Sequence, residues 1–362
     1  MVNRAEGRNV EKGRRFMKVV DLRSDTVTLP TEAMREAIYK AELGDDVFGE
    51  DPTTNRLQEM AAERLGKEAG LLVASGTMAN LVCMLTHCGR GEEAILGDQS
   101  HMFYYESGSM SAMGSIHPHT VHNQPDGTMR LEDIKSAIRS EGLHFPRTRL
   151  ICLENTHNRC YGTALTVEYT DSVAALARRY GVSVYLDGAR IFNAAIALGV
   201  DVKELTRSVD SVSFCLSKGL SGPVGSVVCG SREFIAEARR NRKVLGGAMR
   251  QSGIIAASGV VALEEMIERL AEDHKNARRL AEGIAEIKGL SIDLSKVQTN
   301  IVYFELVDGR ITADELVRRV GEKGVKFLCI GPNRFRMVTH YGIEAEDIET
   351  TISALSETMK KI

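Results

Sequence analysis

The chain has 362 residues, 43% hydrophobic and 26% charged, with a formal net charge of -3. That balance offers no basic field for nucleic acid or an anionic membrane surface, and no apolar run approaches the roughly 20 residues of a membrane span. The length allows two domains, or one large α/β unit with an appendage.

Residues 1–16, MVNRAEGRNVEKGRRF, are basic and lack the apolar stretch of a secretory signal. Glu6 and Glu11 argue against a transit peptide. Residues 1–17 are therefore expected to be a disordered tail, or an extension ahead of a start at Met17. The next stretch, DLRSDTVTLP, reads as too polar and too short for core.

GLLVAS (Gly70–Ser75) predicts a strand and the TMANLVCMLTHC after it a helix. EEAILGD, SIHPHTVHN, RTRLICLEN, VSVYLDGA, SVSFCLS and GSVVCG are strand-like in turn. Helical periodicity lies between several of them, in LEDIKSAIRSEG and YTDSVAALARRYG. Apolar strands separated by amphipathic helices predict a mostly parallel sheet covered on both faces. From Ser231 to Lys288 the pattern is helical, ending at Gly289. NIVYFEL, TADELVRRVGEKG, RFRMVTHYGI and a helix from Glu344 then predict a smaller α+β unit. The expected division is a large α/β domain over 18–270 and a small C-terminal domain over 271–362, with a long helix at the boundary. The seven cysteines (Cys83, Cys88, Cys152, Cys160, Cys215, Cys229, Cys329) are scattered and mostly inside apolar runs. They read as reduced core residues of a cytoplasmic protein, not as a disulfide framework or a metal site.

Open α/β sheets bind ligands at the carboxyl ends of their strands, so the polar residues just past each strand are the candidates. SGTMAN (Ser75–Asn80) turns from strand to helix at Gly76 and Thr77, where free N–H groups and the helix dipole suit a phosphate. An ordinary helix cap gives the same lone pattern. In LDGAR, Asp187 ends a strand and needs a cationic partner if buried; Arg190 is the nearest in sequence. Lys218 comes after SVSFCLS and precedes Gly219. A lysine, a buried carboxylate and a phosphate cup are the three things pyridoxal 5'-phosphate (PLP) requires. His101, in GDQSHMF, offers a flat ring to cover the cofactor, although a lone histidine at a strand end is more often structural.

DLRSDTVT, GDDVFGEDPT, SGTMAN, LENTHN, DGAR, SKGLSGPVGS, GGAMRQSG and RMVTH occur in that order, and together they resemble the low-specificity L-threonine aldolases of the aspartate-aminotransferase group (PLP fold type I). The resemblance covers nearly all of the chain after its N-terminal tail. It implies that Lys218 bonds the cofactor aldehyde, Asp187 pairs with the pyridine nitrogen, Gly76 and Thr77 hold the phosphate, and His101 stacks on the ring. Ser24, Arg190 and Arg336 would bind the substrate carboxylate, with Arg334 as a competitor for Arg336. His144 would lie near the substrate side chain. Lys243 and Arg250 would reach a neighbouring subunit's cofactor in a homotetramer built as a dimer of dimers with shared sites. The implied reaction is cleavage of L-threonine, L-allo-threonine and other β-hydroxy-α-amino acids to glycine and an aldehyde. His101, His144, a water or the cofactor phosphate could take the β-hydroxyl proton. Two places depart from the family pattern: Phe48 stands where tyrosine is frequent, and Arg159–Cys160 replace a glycine-rich stretch. A β-eliminating lyase or aminotransferase on the same fold, or an inactive binding homologue, are the competing readings.

Overall fold

The structure, a computed structural model, describes residues 18–362; the tail or extension expected over 1–17 lies outside the described residues. Its strands are β1 (Val20–Asp21), β2 (Ala69–Val73), β3 (Glu93–Gly97), β4 (His117–Val121), β5 (Thr148–Glu154), β6 (Ser183–Asp187), β7 (Ser211–Cys215), β8 (Ser226–Gly230), β9 (Leu290–Ser291), β10 (Ile301–Leu306), β11 (Val325–Lys326), β12 (Leu328–Gly331) and β13 (Arg334–Val338).

A seven-stranded sheet carries the order β2-β8-β7-β6-β5-β3-β4. Strand β8 runs antiparallel to β2 and β7, and the other neighbours are parallel. The central strands are apolar along their whole length because both faces are covered. Leu72, Ile151, Leu153, Leu186 and Phe214 face one core. Leu71, Val73, Leu150, Cys152 and Tyr185 face the other. This is the period-two alternation of a strand resolved into two buried faces.

The covering helices start where the sequence supplies a cap. Thr166 accepts from the Tyr169 N–H to open Val167–Arg179, whose Thr170, Val173, Ala174 and Ala177 are buried at helical spacing. Ser231 caps Arg232–Val244 in the same way. The helical stretch expected from Ser231 to Lys288 is three helices, Arg232–Val244, Gly253–Glu265 and Leu270–Ala285.

Strands β12-β13-β10-β9 make a second, antiparallel sheet, with helices Leu270–Ala285, Ala313–Gly321 and Ala345–Lys360 packed near it. Its core gathers Leu280, Phe304, Leu316, Phe335 and Leu355. Val20 and Leu22 belong to this core, since β1 pairs in parallel with β11. The expectation that DLRSDTVTLP stays out of any core is thus corrected: Leu22 and Asp25 are both fully buried. Leu22 is apolar and faces the second core, and Asp25 has an arginine to meet. Six cysteines are buried and free, whereas Cys329 is exposed. No described helix is long and apolar enough to cross a membrane.

Candidate active site

Because every strand of the large sheet except β8 runs the same way, the ends of β2, β3, β5, β6 and β7 lie on one edge. Register sets the candidate residues in a row there. Glu154 pairs with Asp187, and Asp187 with Ser213. Val73 and Cys215 both pair with Ser226, which brings the Ser75–Thr77 turn beside the end of β7.

Asp187 is buried, and its carboxylate meets amides rather than a cation. Oδ2 accepts from Asn80 Nδ2 at 2.9 Å and Oδ1 from the Ala189 N–H at 3.1 Å. Burial, and then the charge of Glu154, raise its pKa, while Lys218 and His101 oppose. The Arg190–Asp187 pair that local sequence allows does not form. Arg190 turns to the N-terminal segment, where Nε and Nη2 grip Asp25 at 2.7 and 2.6 Å. Asn300 braces that carboxylate from behind. Burial works against the charges of both partners, but the mutual attraction prevails and keeps Asp25 ionised well below its usual range and Arg190 firmly charged.

Lys218 is half-buried in the loop after β7. Its charge acts on Asp187 and Asp25, yet its ammonium forms an ion pair with neither. Ser75 caps the helix Gly76–His87 through its side chain, accepting from the Met78 N–H. The first-turn N–H groups of Gly76 and Thr77 have no acceptor within the helix. A Cβ on Gly76 would meet Cys215 Sγ at 3.0 Å, so glycine lets the turn sit close against β7.

His101 opens a short helix after β3. Its backbone N–H donates to Glu154 Oε2 at 2.7 Å, and its Nδ1 lies 2.8 Å from Glu106 Oε1. Burial lowers the imidazole's affinity for a proton, but the hydrogen bond to Glu106 and the charges of Asp187 and Glu154 outweigh it, and the pKa is raised. His101, Glu106 and Asp187 offer ligand atoms within 4.8 Å of one another, close enough for a metal. The Asn80 amide bridges the two carboxylates instead, donating to both.

On the other side of the crevice, Arg336 reaches from β13. Nη1 donates to Asn158 Oδ1 at 2.9 Å and Nη2 to the Arg23 carbonyl at 3.2 Å. Ser24 is the next residue, its Oγ 3.5 Å from Asp25 Oδ1. Ser24, Arg190 and Arg336 therefore converge on the segment 23–25. Arg334 lies on the same face of β13, but its guanidinium is held over Tyr161 and Tyr303, 4.7 Å from each ring.

His144 is not brought to this cluster. It is exposed in the loop before β5, at the opposite edge of the sheet. Lys243 is exposed at the end of Arg232–Val244. Arg250 is exposed and, across sequence rather than at helical spacing, pairs with Asp45 at 3.2 Å. Phe48 is exposed. Arg159 stacks 3.8 Å over Tyr104 and donates to the Tyr105 hydroxyl, while Cys160 is buried and its thiol is pushed up to about 12 by burial.

Sequence reasoning did not assign Asp25, Asn80, Glu106, Glu154 or His157. Three of these carried a signal. Glu154 and His157 stand in LENTHN at a strand end, and Asn80 lies one helical turn beyond Gly76. Glu106 and Asp25 gave none, because only the fold brings their partners to them.

The family described as Beta-eliminating lyase matches residues 21–306. The chain is 50% identical to low-specificity L-threonine aldolase 1 of Arabidopsis thaliana, over 95% of this chain and 97% of that one. It is 43% identical to the low specificity L-threonine aldolase of Escherichia coli K12, over 91% of this chain and 96% of that one. The solved threonine aldolase of Leishmania major superposes with a TM-score of 0.81 at 18% identity, covering 94% of this chain and 99% of that one. An enzyme abbreviated SPT, solved with PLP, does so with a TM-score of 0.73 at 19% identity, covering 95% and 89%. At such identities the structures speak for the fold alone, whereas the sequence relatives, matched almost end to end, show that this chain belongs to the low-specificity L-threonine aldolase family.

Proposed function

We propose that this protein is a PLP-dependent aldolase that cleaves L-threonine, L-allo-threonine and other β-hydroxy-α-amino acids to glycine and an aldehyde, acetaldehyde in the case of threonine. The observation that carries the reading is the buried Asp187 carboxylate, which among the described residues has no cation bonded to it, on the same edge as the Lys218 ammonium, which among those residues forms no ion pair.

That arrangement fits the cofactor. A protonated pyridine nitrogen would supply the cation Asp187 lacks, Lys218 would bond the aldehyde, the N–H groups of Gly76 and Thr77 would take the phosphate, and His101 would cover the ring. When bound, PLP supplies an electron sink for a bond breaking at the substrate α-carbon. The protein's part is to choose the bond. Arg336, with Ser24 and Arg190, would clamp the substrate carboxylate and turn the Cα–Cβ bond perpendicular to the ring. Arg190 is already bidentate to Asp25, so Arg336 would bring most of the uncompensated positive charge. His101 is the favoured acceptor of the β-hydroxyl proton, because it lies within the cluster and His144 of the same chain does not.

The exposed Lys243 and Arg250 support a shared-site homotetramer, built as a dimer of dimers, in which both act on a neighbouring subunit's cofactor. The buried, free cysteines support a cytoplasmic setting.

Incubation with L-threonine and with L-allo-threonine tests the proposal. Acetaldehyde and glycine should appear in equal amounts. The family description favours β-elimination as the second reading, and release of ammonia and a keto acid instead would establish it.

A further inference from the structure

We infer that Glu106 is a positioning residue for His101. It fixes the imidazole with the proton on Nδ1, so that Nε2 is the nitrogen left to exchange a proton in the crevice. The inference rests on the role proposed above for His101.

The chain of donors decides the tautomer. Tyr185 donates its hydroxyl hydrogen to Asn80 Oδ1 at 2.5 Å, so the amide of Asn80 is oriented with its nitrogen away from Tyr185. Both hydrogens on that nitrogen are then committed, one to Glu106 Oε1 at 2.6 Å and one to Asp187 Oδ2 at 2.9 Å. Glu106 Oε1 is thereby an acceptor, and it is the same oxygen that lies 2.8 Å from His101 Nδ1. Two acceptors cannot face each other at that distance, so Nδ1 carries the hydrogen. This assignment holds with Glu106 ionised, the state in which neither of its oxygens can donate. Nε2 has no hydrogen bond among the described residues, and the ring is 31% exposed.

The sequence spacing makes the contact possible. His101 opens its short helix and Glu106 lies just past the end of it, so the carboxylate folds back under the ring. Glu106 is nearly fully buried, an expensive place for a carboxylate that served no partner. The other charges that face His101 are Asp187 at the end of β6 and Glu154 at the end of β5. The charge of Lys218 acts on Asp187, and His157 sits against Glu154 at 4.0 Å. Glu106 is the one of these that bonds the ring, and Asn80 ties it to the carboxylate proposed to hold the pyridine nitrogen.

The test is nitrogen-15 NMR of histidine-labelled apoprotein, with the His101 signals assigned by His101→Gln. Wild type should show His101 as the Nδ1–H tautomer at alkaline pH. Glu106→Gln keeps an acceptor oxygen but removes the charge. It should retain the tautomer and move the His101 titration midpoint to lower pH by about one unit. In the holoenzyme the same variant should shift the acid limb of kcat/KM in the same direction, with PLP affinity changed less than twofold. An Nε2–H tautomer in wild type, or a midpoint and acid limb unmoved by Glu106→Gln, would overturn the inference. Because the NMR readout needs neither cofactor nor turnover, it is separate from the failure of the aldolase reading, which would show as wild-type enzyme releasing no acetaldehyde.

Discussion

The two edges of the large sheet treat buried carboxylates in opposite ways. At the amino edge, Glu93 opens β3 and is fully buried. Thr148 Oγ1 donates to it at 2.9 Å and Arg139 Nε at 3.3 Å, while His119 and His117 stand at 3.3 and 3.8 Å. At the carboxyl edge, Asp187 has an asparagine amide and a backbone N–H, and Glu106 leaves one oxygen buried without a partner. A buried charge with matched partners holds a fold together, whereas one left short of a cation is an electrostatic deficit that a ligand can fill. The amino edge is a structural seam, and the carboxyl edge is the proposed site.

The largest expected effect breaks the site and spares the seam. Lys218→Ala should lower aldol turnover by at least about a thousandfold while the melting temperature of the apoprotein hardly moves, because the side chain bonds nothing among the described residues and is proposed to carry the cofactor. Turnover assays beside calorimetry check both halves.

Asp187→Asn and Glu93→Gln sharpen the contrast as a pair. The asparagine variant should lose most turnover, since a neutral amide cannot keep the pyridine nitrogen protonated, with apo stability changed by no more than about 1 kcal/mol. The glutamine variant should lose about 3 kcal/mol by denaturant titration, as expected for breaking a buried ion pair, and keep wild-type turnover below its melting temperature.

Arg336→Ala should raise KM for threonine by a factor corresponding to about 2 kcal/mol, with PLP affinity little changed. Arg334→Ala should affect KM far less, because its guanidinium is engaged with two tyrosine rings. Steady-state kinetics on the two variants decide between them.

The smallest effect belongs to the seam. His87 bonds Ser211, the first residue of β7, and burial pushes its pKa down to about 4 against the opposing charge of Asp210. In the unfolded chain the ring takes a proton below about pH 6.5. In the folded protein it stays neutral until about pH 4. Its stabilising contribution is therefore complete above about pH 6.5 and lost as pH falls toward 4. The melting temperature of wild type should fall more steeply across that window than that of His87→Gln.

Much of the fold and the site is legible in the sequence, for reasons visible in particular residues. Strands buried on both faces read as apolar runs, so β3, β5, β6 and β7 can be found one by one. The polar residues just past those runs mark a ligand edge and lead to Gly76, Thr77, His101, Asp187 and Lys218. The hidden part consists of partnerships between distant segments. Nothing near Arg190 in sequence announces Asp25, 165 residues away, and the one nearby carboxylate, Asp187, is not its partner. Nothing in DLRSDTVTLP shows that β11 will pair with β1 and draw Leu22 into a core. Asn80 can be seen as part of a helix start, but its role as the amide between two carboxylates exists only once β6 and the helix after β3 are in place.

The most direct test of the claim that the carboxyl edge holds a deficit reserved for the cofactor is the rise in melting temperature on adding PLP, measured for wild type, Asp187→Asn and Glu93→Gln at one PLP concentration. The account predicts that Glu93→Gln starts lower and gains as much as wild type, while Asp187→Asn starts near wild type and gains clearly less. An undiminished gain in Asp187→Asn, with the loss falling on Glu93→Gln instead, would contradict it.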